Sequence, residues 1–448
     1  MNKTFAIDNK LATEKISKLL LMYSIPSVIG MVATSIYNIV DRIFIGQGVG
    51  AMAISGLTLT FPLMNIITAI GTLIGVGAAS RLSIVLGMND IKWARNITAH
   101  TLMLTFFMSA VTVTGMMLFL EDILLLFGGS EQTIPYAMRY LHIVLPGSVF
   151  TNLCYSFSNM MRASGNPRKA MYAILLGVSI NIILDPIFIF VFDMGIRGAA
   201  IATVISMFIG GVFAISHFMN PKQVVRFTAK SFAIKKYIIF NILSIGAAPF
   251  IVNLASAGVA GVINMQLMKH GGDLSVGAFG IINSYLFIIV MSVVGVANGM
   301  QPIVGFNFGA GLNHRVIDAF KLTVRVSTVI VSIGFILCQL CPRLLSQGFT
   351  SDAELLDITT QGLRIATLVF PIIGFQVVSG VFFQAISRAK QAIFISLTRQ
   401  ILFLIPCILV LSHYFGIIGI WASIAASDLL SSLVTYIVLR KELVKLKS

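Results

Sequence analysis

The stretch AMYAILLGVSINIILDPIFIFV, residues 170–191, carries a single charged side chain, that of Asp185. As a helix it is about 33 Å long, which matches the roughly 30 Å hydrocarbon thickness of a bilayer. Its apolar residues surround the whole helix rather than one face, which indicates a membrane span rather than a surface helix. The stretch therefore predicts a transmembrane helix with a carboxylate inside it.

Eleven further apolar runs follow the same pattern along the chain. The 448 residues are 57% hydrophobic and 10% charged, whereas soluble proteins carry about 25% charged residues. This composition excludes a soluble enzyme and a disordered chain, and it predicts an all-α polytopic membrane protein of twelve transmembrane helices. The predicted helices are 19–45, 52–79, 97–120, 136–160, 170–191, 198–218, 237–268, 275–299, 322–345, 363–386, 392–412 and 417–439.

The basic residues give the orientation. With the N-terminus placed inside, 25 of the 31 Lys and Arg fall in the terminal segments and loops of one side, and acidic residues collect on the other side. Cytoplasmic loops carry this excess of Lys and Arg. We therefore expect a multi-pass protein of the plasma (inner) membrane with both termini cytoplasmic, and we assign the net charge of +15 to loops rather than to nucleic-acid binding.

Proline and glycine landmarks recur at a nearly constant offset, which indicates an internal repeat. An even number of spans in each half makes the repeat parallel, which is a transporter architecture. The sequence predicts two pseudo-symmetric six-helix bundles, an N-terminal lobe 1–218 and a C-terminal lobe 237–448, joined by a basic cytoplasmic linker 219–236. The landmark pairs, 220 to 225 residues apart, are Pro26/Pro249, Gly87/Gly309, Pro146/Pro371, Pro186/Pro406, Gly195/Gly416 and Gly198/Gly419.

Three carboxylates, those of Asp41, Asp185 and Asp428, lie inside predicted spans, where each costs at least ~2.5 kcal/mol and marks a functional site. Asp41 and Asp185 are expected at similar depth near the outer face, so they form a candidate site for a coupling cation. Asn181 lies one helical turn from Asp185, and Thr203 and Tyr37 are expected at the same depth. Carboxylate, amide and hydroxyl oxygens suit either H⁺ or Na⁺.

Four of these residues also have a structural explanation. Asp41 could cap a helix end beside Arg42, although neighbours in a helix point about 100° apart. Asn181 and Thr203 could join helices by hydrogen bonds. Asp428 could pair with Arg399, attract a cationic substrate or stay protonated, and the sequence leaves these three alternatives open.

A second group of residues is expected to line a substrate cavity. Asn152 and Asn159 lie two turns apart on one helix face, and flexible methionines such as Met31 and Met265 suit a binding surface that can repack. Hydrogen bonds between helices and ordinary packing are the competing explanations. The cavity candidates are Asn152, Asn159, Met31, Met265 and Asp428.

Enzyme motifs are absent from the sequence. There is no G-x-x-x-x-G-K-[ST] phosphate loop and no D-x-x-x-D cluster for a metal-bound diphosphate. We therefore expect no enzymatic activity, no cofactor and no metal beyond a coupling Na⁺, and the energy must come from an ion gradient.

Five motifs together resemble the multidrug and toxin extrusion (MATE) family, nearest its MepA- and DinF-like branch. They are IPSVIG (25–30), LTLTFP (57–62), IGVGAASRLSIVLG (74–87), MRASGN (161–166) and NIILDPIFI (181–189). The resemblance implies two six-helix lobes in a V and export of cationic, amphipathic drugs against H⁺ or Na⁺. It also implies a first-lobe cation site at Asp41 and Asp185, with Asn181 and Thr203 beside them, whereas helices 7 and 10 lack the acids that some relatives carry.

These observations lead to one hypothesis and one alternative. The chain is expected to be a secondary active antiporter that exports lipophilic organic cations by alternating access, as a monomer surrounded by membrane lipid. Pro26 and Pro186 are the expected hinges. The alternative is a flippase for a lipid-linked oligosaccharide.

Overall fold

The computed structural model describes residues 10–49, 51–127, 131–348 and 352–447, and in these ranges every regular element is helical. The α-helices are α1 Lys10–Thr13, α2 Ile16–Val49, α3 Ala51–Gly87, α4 Ile91–Leu118, α5 Leu120–Leu126, α6 Ile134–Ala163, α7 Pro167–Pro186, α8 Gly195–Met219, α9 Lys236–Gly309, α10 Asn313–Leu340, α11 Pro342–Gln347, α12 Ala353–Ala366, α13 Phe370–Ala385, α14 Ala389–Leu397 and α15 Ile405–Lys447. Two π-helical segments, Ile187–Val191 and Thr398–Leu404, and the 3₁₀ helix Ala229–Phe232 complete the set.

The helix count agrees with twelve spans. Within the described ranges, nine helical segments are long and apolar enough to cross a membrane, and α12 with α13 forms a further span bent by 59°. One of the nine, 389–446, is broken at Gly416 into two predicted spans. The twelfth is α6, which is 30 residues long and contains the predicted span 136–160. The prediction of an all-α polytopic protein with twelve helices is confirmed.

The repeat is visible in the backbone itself. Left-handed backbone conformations, which L-residues other than Asn and Asp rarely adopt, recur at equivalent places in the two halves. The pairs are Asn89 with Gly311, Gly165 with Ser387 and Gly195 with Gly416, with offsets of 222, 222 and 221 residues. The pseudo-symmetric halves predicted from the landmarks are therefore present.

Two of the landmark glycines permit a close approach of helix backbones. A Cβ atom on Gly419 would lie 1.9 Å from the carbonyl oxygen of Leu411, and one on Gly198 would lie 2.8 Å from that of Phe188. Each glycine follows the left-handed turn that joins the last two spans of its half. Glycine at both places lets the paired helices pack at a distance that any side chain would prevent.

The chain forms two compact units, and each unit is discontinuous. One contains α1 and Ile29–Phe250, and the other contains Glu14–Val28 and the chain from Ile251 onward. Helices α2 and α9 therefore pass from one unit to the other just after Pro26 and Pro249, the first pair of repeat landmarks. The units differ from the predicted lobes because the beginning of α2 belongs to the second unit and the beginning of α9 belongs to the first. The linker 219–236 also belongs to the first unit. The lobe boundaries and the V shape stay predictions.

Each unit has its own apolar core. In the first unit, Ile45, Leu63, Leu141 and Ile189 belong to one fully buried cluster. This cluster joins residues from α2, α3, α6 and the π-helical segment after α7. In the second unit, Trp421 is the largest buried side chain of the corresponding cluster.

Candidate functional site

The first unit brings the two predicted carboxylates together. Asp41 of α2 is 7% exposed and Asp185 of α7 is 0% exposed, and their carboxyl groups lie within hydrogen-bonding reach of each other. Two buried carboxylates that lie this close without a counter-ion would repel each other and would lack the hydration that stabilises them in water. The pair is therefore suited to hold a proton or a metal cation between its oxygens.

Asn181 connects α7 to α8 beside this pair. It lies one turn before Asp185, and its amide Nδ2 donates hydrogen bonds of 3.3 Å to Asp185 Oδ1 and of 3.3 Å to Thr203 Oγ1. Asn181 Oδ1 and Asp185 Oδ2 are buried and accept no hydrogen bond from any residue that the structure describes. A carboxylate oxygen and an amide oxygen are thus left with unused acceptor capacity at the centre of the cluster.

Two tyrosines complete the cluster around Thr203. Tyr37 and Tyr140 lie close to the Thr203 side chain and to both carboxyl groups. The structure therefore places Asp41, Asp185, Asn181, Thr203 and Tyr37 together, and their role as a coupling-cation site stays a prediction.

Tyr140 was missed by the sequence reasoning. It lies near the start of α6, which enters from the predicted outer face, and it is 4% exposed. The depth argument applied to Asp41 could have found it, because the first turns of an inward-running helix lie at the depth of the last turns of an outward-running one. A lone tyrosine in an apolar run is nevertheless explained equally well by packing.

The backbone is irregular directly after the second carboxylate. Pro186 is the last residue of α7, and the π-helical segment Ile187–Val191 follows it. Proline removes a backbone donor, and single π turns are frequently found at functional sites. The role of Pro186 as a hinge stays a prediction, as does that of Pro26 within α2.

The asparagine candidates for a substrate cavity lie inside the first unit and bind neighbouring side chains. Asn152 Nδ2 donates to Ser109 Oγ at 2.9 Å, and Asn159 Oδ1 accepts from Arg162 Nη2 at 2.5 Å. Asn152 and Asn159 are 2% and 3% exposed. The Asn152 contact joins α6 to α4 and matches the helix–helix alternative, whereas the Asn159 contact lies within α6. A role of either residue in a substrate cavity stays a prediction.

The remaining cavity candidates are separated between the units. Met31 is half-buried in the first unit and Met265 is exposed in the second. Asp428 is buried in the second unit, where its Oδ1 lies 2.7 Å from Arg399 Nε. Of the three alternatives for Asp428, the structure shows the ion pair.

Metal-ligating side chains do not cluster in the described ranges: no group of three or more His, Cys, Asp or Glu could hold a metal ion there. Oxygen atoms of Asp41, Asp185, Asn181 and Thr203 are the donors available to a hard monovalent cation. Cys338 and Cys341 are spaced as C-x-x-C and form no disulfide bond, with Cys338 buried and Cys341 exposed.

Comparison with known proteins gives a consistent result. The family model MatE matches residues 26–187 and 249–409, two stretches that begin 223 residues apart. The chain is 28% identical over 421 residues to the multidrug export protein MepA of Staphylococcus aureus strain N315, with 92% of this chain and 91% of that protein covered. It is 26% identical over 424 residues to the multidrug export protein MepA of Staphylococcus haemolyticus strain JCSC1435, with 94% and 93% covered.

Solved structures show the same fold. The chain matches a MATE structure in complex with MaL6 at a TM-score of 0.93 and 22% identity, with 98% of both chains covered. It matches an outward-facing multidrug resistance MATE family transporter of the MOP superfamily at a TM-score of 0.93 and 22% identity, with 100% of both chains covered.

Proposed function

The chain belongs to the MatE family, and we propose on this premise that it is a secondary active multidrug efflux antiporter. It exports lipophilic organic cations from the cytoplasm in exchange for H⁺ or Na⁺. It works in the plasma (inner) membrane as a monomer, with both termini in the cytoplasm. The oligosaccharide flippase is not favoured, because the matched relatives and structures are multidrug export proteins and MATE transporters.

One observation carries the antiport proposal: two buried carboxyl groups lie within reach of each other and share their surroundings with unused oxygen acceptors. An acid pair of this kind is stable in an apolar bundle only when a cation neutralises it. Loading and unloading of one cation therefore changes the net charge of the first unit's interior by one.

The proposed cycle uses that change of charge. A cation entering from outside binds between Asp41 and Asp185, with Asn181 Oδ1 and Thr203 Oγ1 as further oxygen ligands when the cation is Na⁺. Neutralisation removes the repulsion between the carboxylates, so α2 bends near Pro26 and the affinity for the drug falls. Each charge that moves down the membrane potential contributes about 2.3 kcal/mol per 100 mV.

The test measures ethidium efflux from proteoliposomes under an imposed ΔpH or an imposed ΔpNa, applied separately. Asp41→Asn and Asp185→Asn should each abolish gradient-driven efflux, because one remaining carboxylate with an amide neighbour no longer needs the exchanged cation. Asp122→Asn, a change of the same chemistry at an exposed position, is the matched control and should export normally. Full gradient-driven efflux in either site variant would contradict the coupling role.

A further inference from the structure

We infer that the first unit binds the anionic headgroup of a membrane phospholipid in a pocket at its predicted cytoplasmic end, between the start of α4 and the start of α9. The pocket has a volume of about 270 Å³ and is lined by Asp90, Lys92, Trp93, Asn96, Lys235 and Tyr237. None of these residues belongs to the cation cluster around Asp41 and Asp185.

The charges of the pocket favour a phosphate group. Lys92 and Lys235 line it, Lys236 is adjacent, and the Arg81 guanidinium lies 5.1 Å from the centre of the Trp93 ring. The one carboxylate in the lining, that of Asp90, is already used as the helix cap, because its Oδ1 accepts the backbone N–H of Trp93 at 2.8 Å. Basic pockets between transmembrane helices on the cytoplasmic side bind anionic lipid headgroups.

The pocket is held in place by hydrogen bonds from the linker to α4. His100 Nε2 accepts the backbone N–H of Lys235 at 2.9 Å, and Nδ1 of the same ring bonds the carbonyl oxygen of Asn96 at 2.7 Å. Arg95 Nε donates to the carbonyl oxygen of Val224 at 3.1 Å. The lysine side chains therefore extend from a fixed backbone rather than from a loose tail.

The surroundings of the pocket fit acyl chains as well as a headgroup. The rings of Trp93 and Tyr237 lie 6.2 Å apart, and Trp and Tyr are enriched where a span meets the headgroup region. Ile234 and Phe240, three residues before and three residues after Tyr237 in the chain, are each 73% exposed. Tyr237 and Phe240 lie in the candidate span Lys236–Gly272, so the pocket opens beside acyl chains, and the occupant with complementary chemistry throughout is an anionic phospholipid.

Tryptophan fluorescence can report binding at this pocket, because the chain has two tryptophans and one lines it. The other, Trp421, is buried, and its Nε1 has no hydrogen-bond partner among the described residues. Trp421→Phe therefore loses no hydrogen bond and leaves Trp93 as the sole tryptophan, which is excited selectively over the tyrosines. The protein is reconstituted in phosphatidylcholine vesicles that contain a low fraction of phosphatidylglycerol brominated on its acyl chains, since bromine quenches tryptophan on contact.

We expect brominated phosphatidylglycerol to quench Trp93 more strongly than the same fraction of brominated phosphatidylcholine. The double variant Lys92→Gln/Lys235→Gln should lose this excess quenching. Its apparent affinity for phosphatidylglycerol should be lower by about fivefold for each lysine removed. Lys222→Gln/Lys230→Gln is the matched control, because it removes the same charge from exposed linker positions outside the lining. It should keep the excess quenching.

Four outcomes would overturn the inference. They are equal quenching by the two lipids, an unchanged excess in Lys92→Gln/Lys235→Gln, an equal loss in the control pair, and displacement of phosphatidylglycerol by millimolar inorganic phosphate. The third would indicate a diffuse field of linker charges, and the fourth would indicate a site for a small anion rather than for a lipid.

Discussion

Asp185 and Asp428 are both almost fully buried, yet their partners carry opposite charges. Asp185 lies within reach of Asp41, so the two acids together need a cation from elsewhere. Asp428 has Arg399 at 2.7 Å, so its charge is compensated inside the protein. An acid that needs an exchangeable cation is suited to coupling, whereas an acid with a built-in guanidinium is suited to holding two helices together.

Removal of one member of the Asp428–Arg399 pair should therefore cost stability. Asp428→Asn leaves Arg399 without its counter-ion, and because Arg399 is 27% exposed we expect a loss of about 2 kcal/mol, below the full cost of breaking a buried pair. Arg399→Gln/Asp428→Asn removes both charges and should recover most of the loss. Thermal unfolding in detergent checks both variants.

An efflux measurement on the same variants separates this structural role from substrate binding. Ethidium efflux by the double variant should be close to normal once it is corrected for the amount of folded protein. A double variant as stable as the parent that no longer exports would instead assign Asp428 and Arg399 to the substrate path. Asp122→Asn serves again as the exposed control.

At the scale of elements, the two halves share an irregularity near equivalent prolines. A π-helical segment follows Pro186 in the first half, and another ends two residues before Pro406 in the second. The two prolines are a landmark pair of the repeat, but the sequence did not predict the π turns. A π turn depends on how a helix is packed on its neighbours rather than on a residue pattern. The second of these segments contains Arg399, which pairs with the buried Asp428, so irregular backbone lies beside an ionisable side chain of a span in each half.

The left-handed glycine turns give a graded test of the repeat. Gly416 has φ +56° and no atom within 4 Å of an added Cβ, so Gly416→Ala should cost about 1–2 kcal/mol of backbone strain. Gly416→Asn should cost less, since asparagine tolerates this conformation. Gly419→Ala should cost the most, because its Cβ would meet the Leu411 carbonyl oxygen at 1.9 Å and force the helices apart.

Thermal unfolding in detergent should rank these variants in that order. The equivalent pair in the first half, Gly195→Ala and Gly198→Ala, should follow the same order with a smaller gap, because the Gly198 contact is 2.8 Å. An order that differs between the halves would show that the backbone repeat does not carry equivalent packing.

At the scale of the molecule, the sequence predicted what depends on local hydropathy, charge and spacing. Span number and the repeat followed from runs such as 170–191 and from landmarks such as Gly195 and Gly416. The exchange of helix beginnings between the compact units was not predictable, because it depends on contacts between residues far apart in the chain. Tyr140 escaped for a related reason: its importance lies in reaching Thr203 from another helix.

The orientation and the parallel sense of the repeat remain predictions that labelling can check. In a background without the four native cysteines, single cysteines are placed at two pairs of exposed positions that are 222 residues apart: Met88 with Ala310, and Asp122 with Leu344. A membrane-impermeant maleimide should label Asp122→Cys and Leu344→Cys in intact cells. Met88→Cys and Ala310→Cys should react only in inside-out vesicles.

The reason is the even number of spans in each half. Six crossings return the chain to the side on which it began, so equivalent positions of the two halves must lie on the same side of the membrane. If the members of one pair react from opposite sides, the repeat is inverted and the twelve-span arrangement is wrong. If both pairs react from the sides opposite to those expected, the repeat is parallel but the termini are outside. The basic loops would then contradict the rule that cytoplasmic loops carry the excess of Lys and Arg.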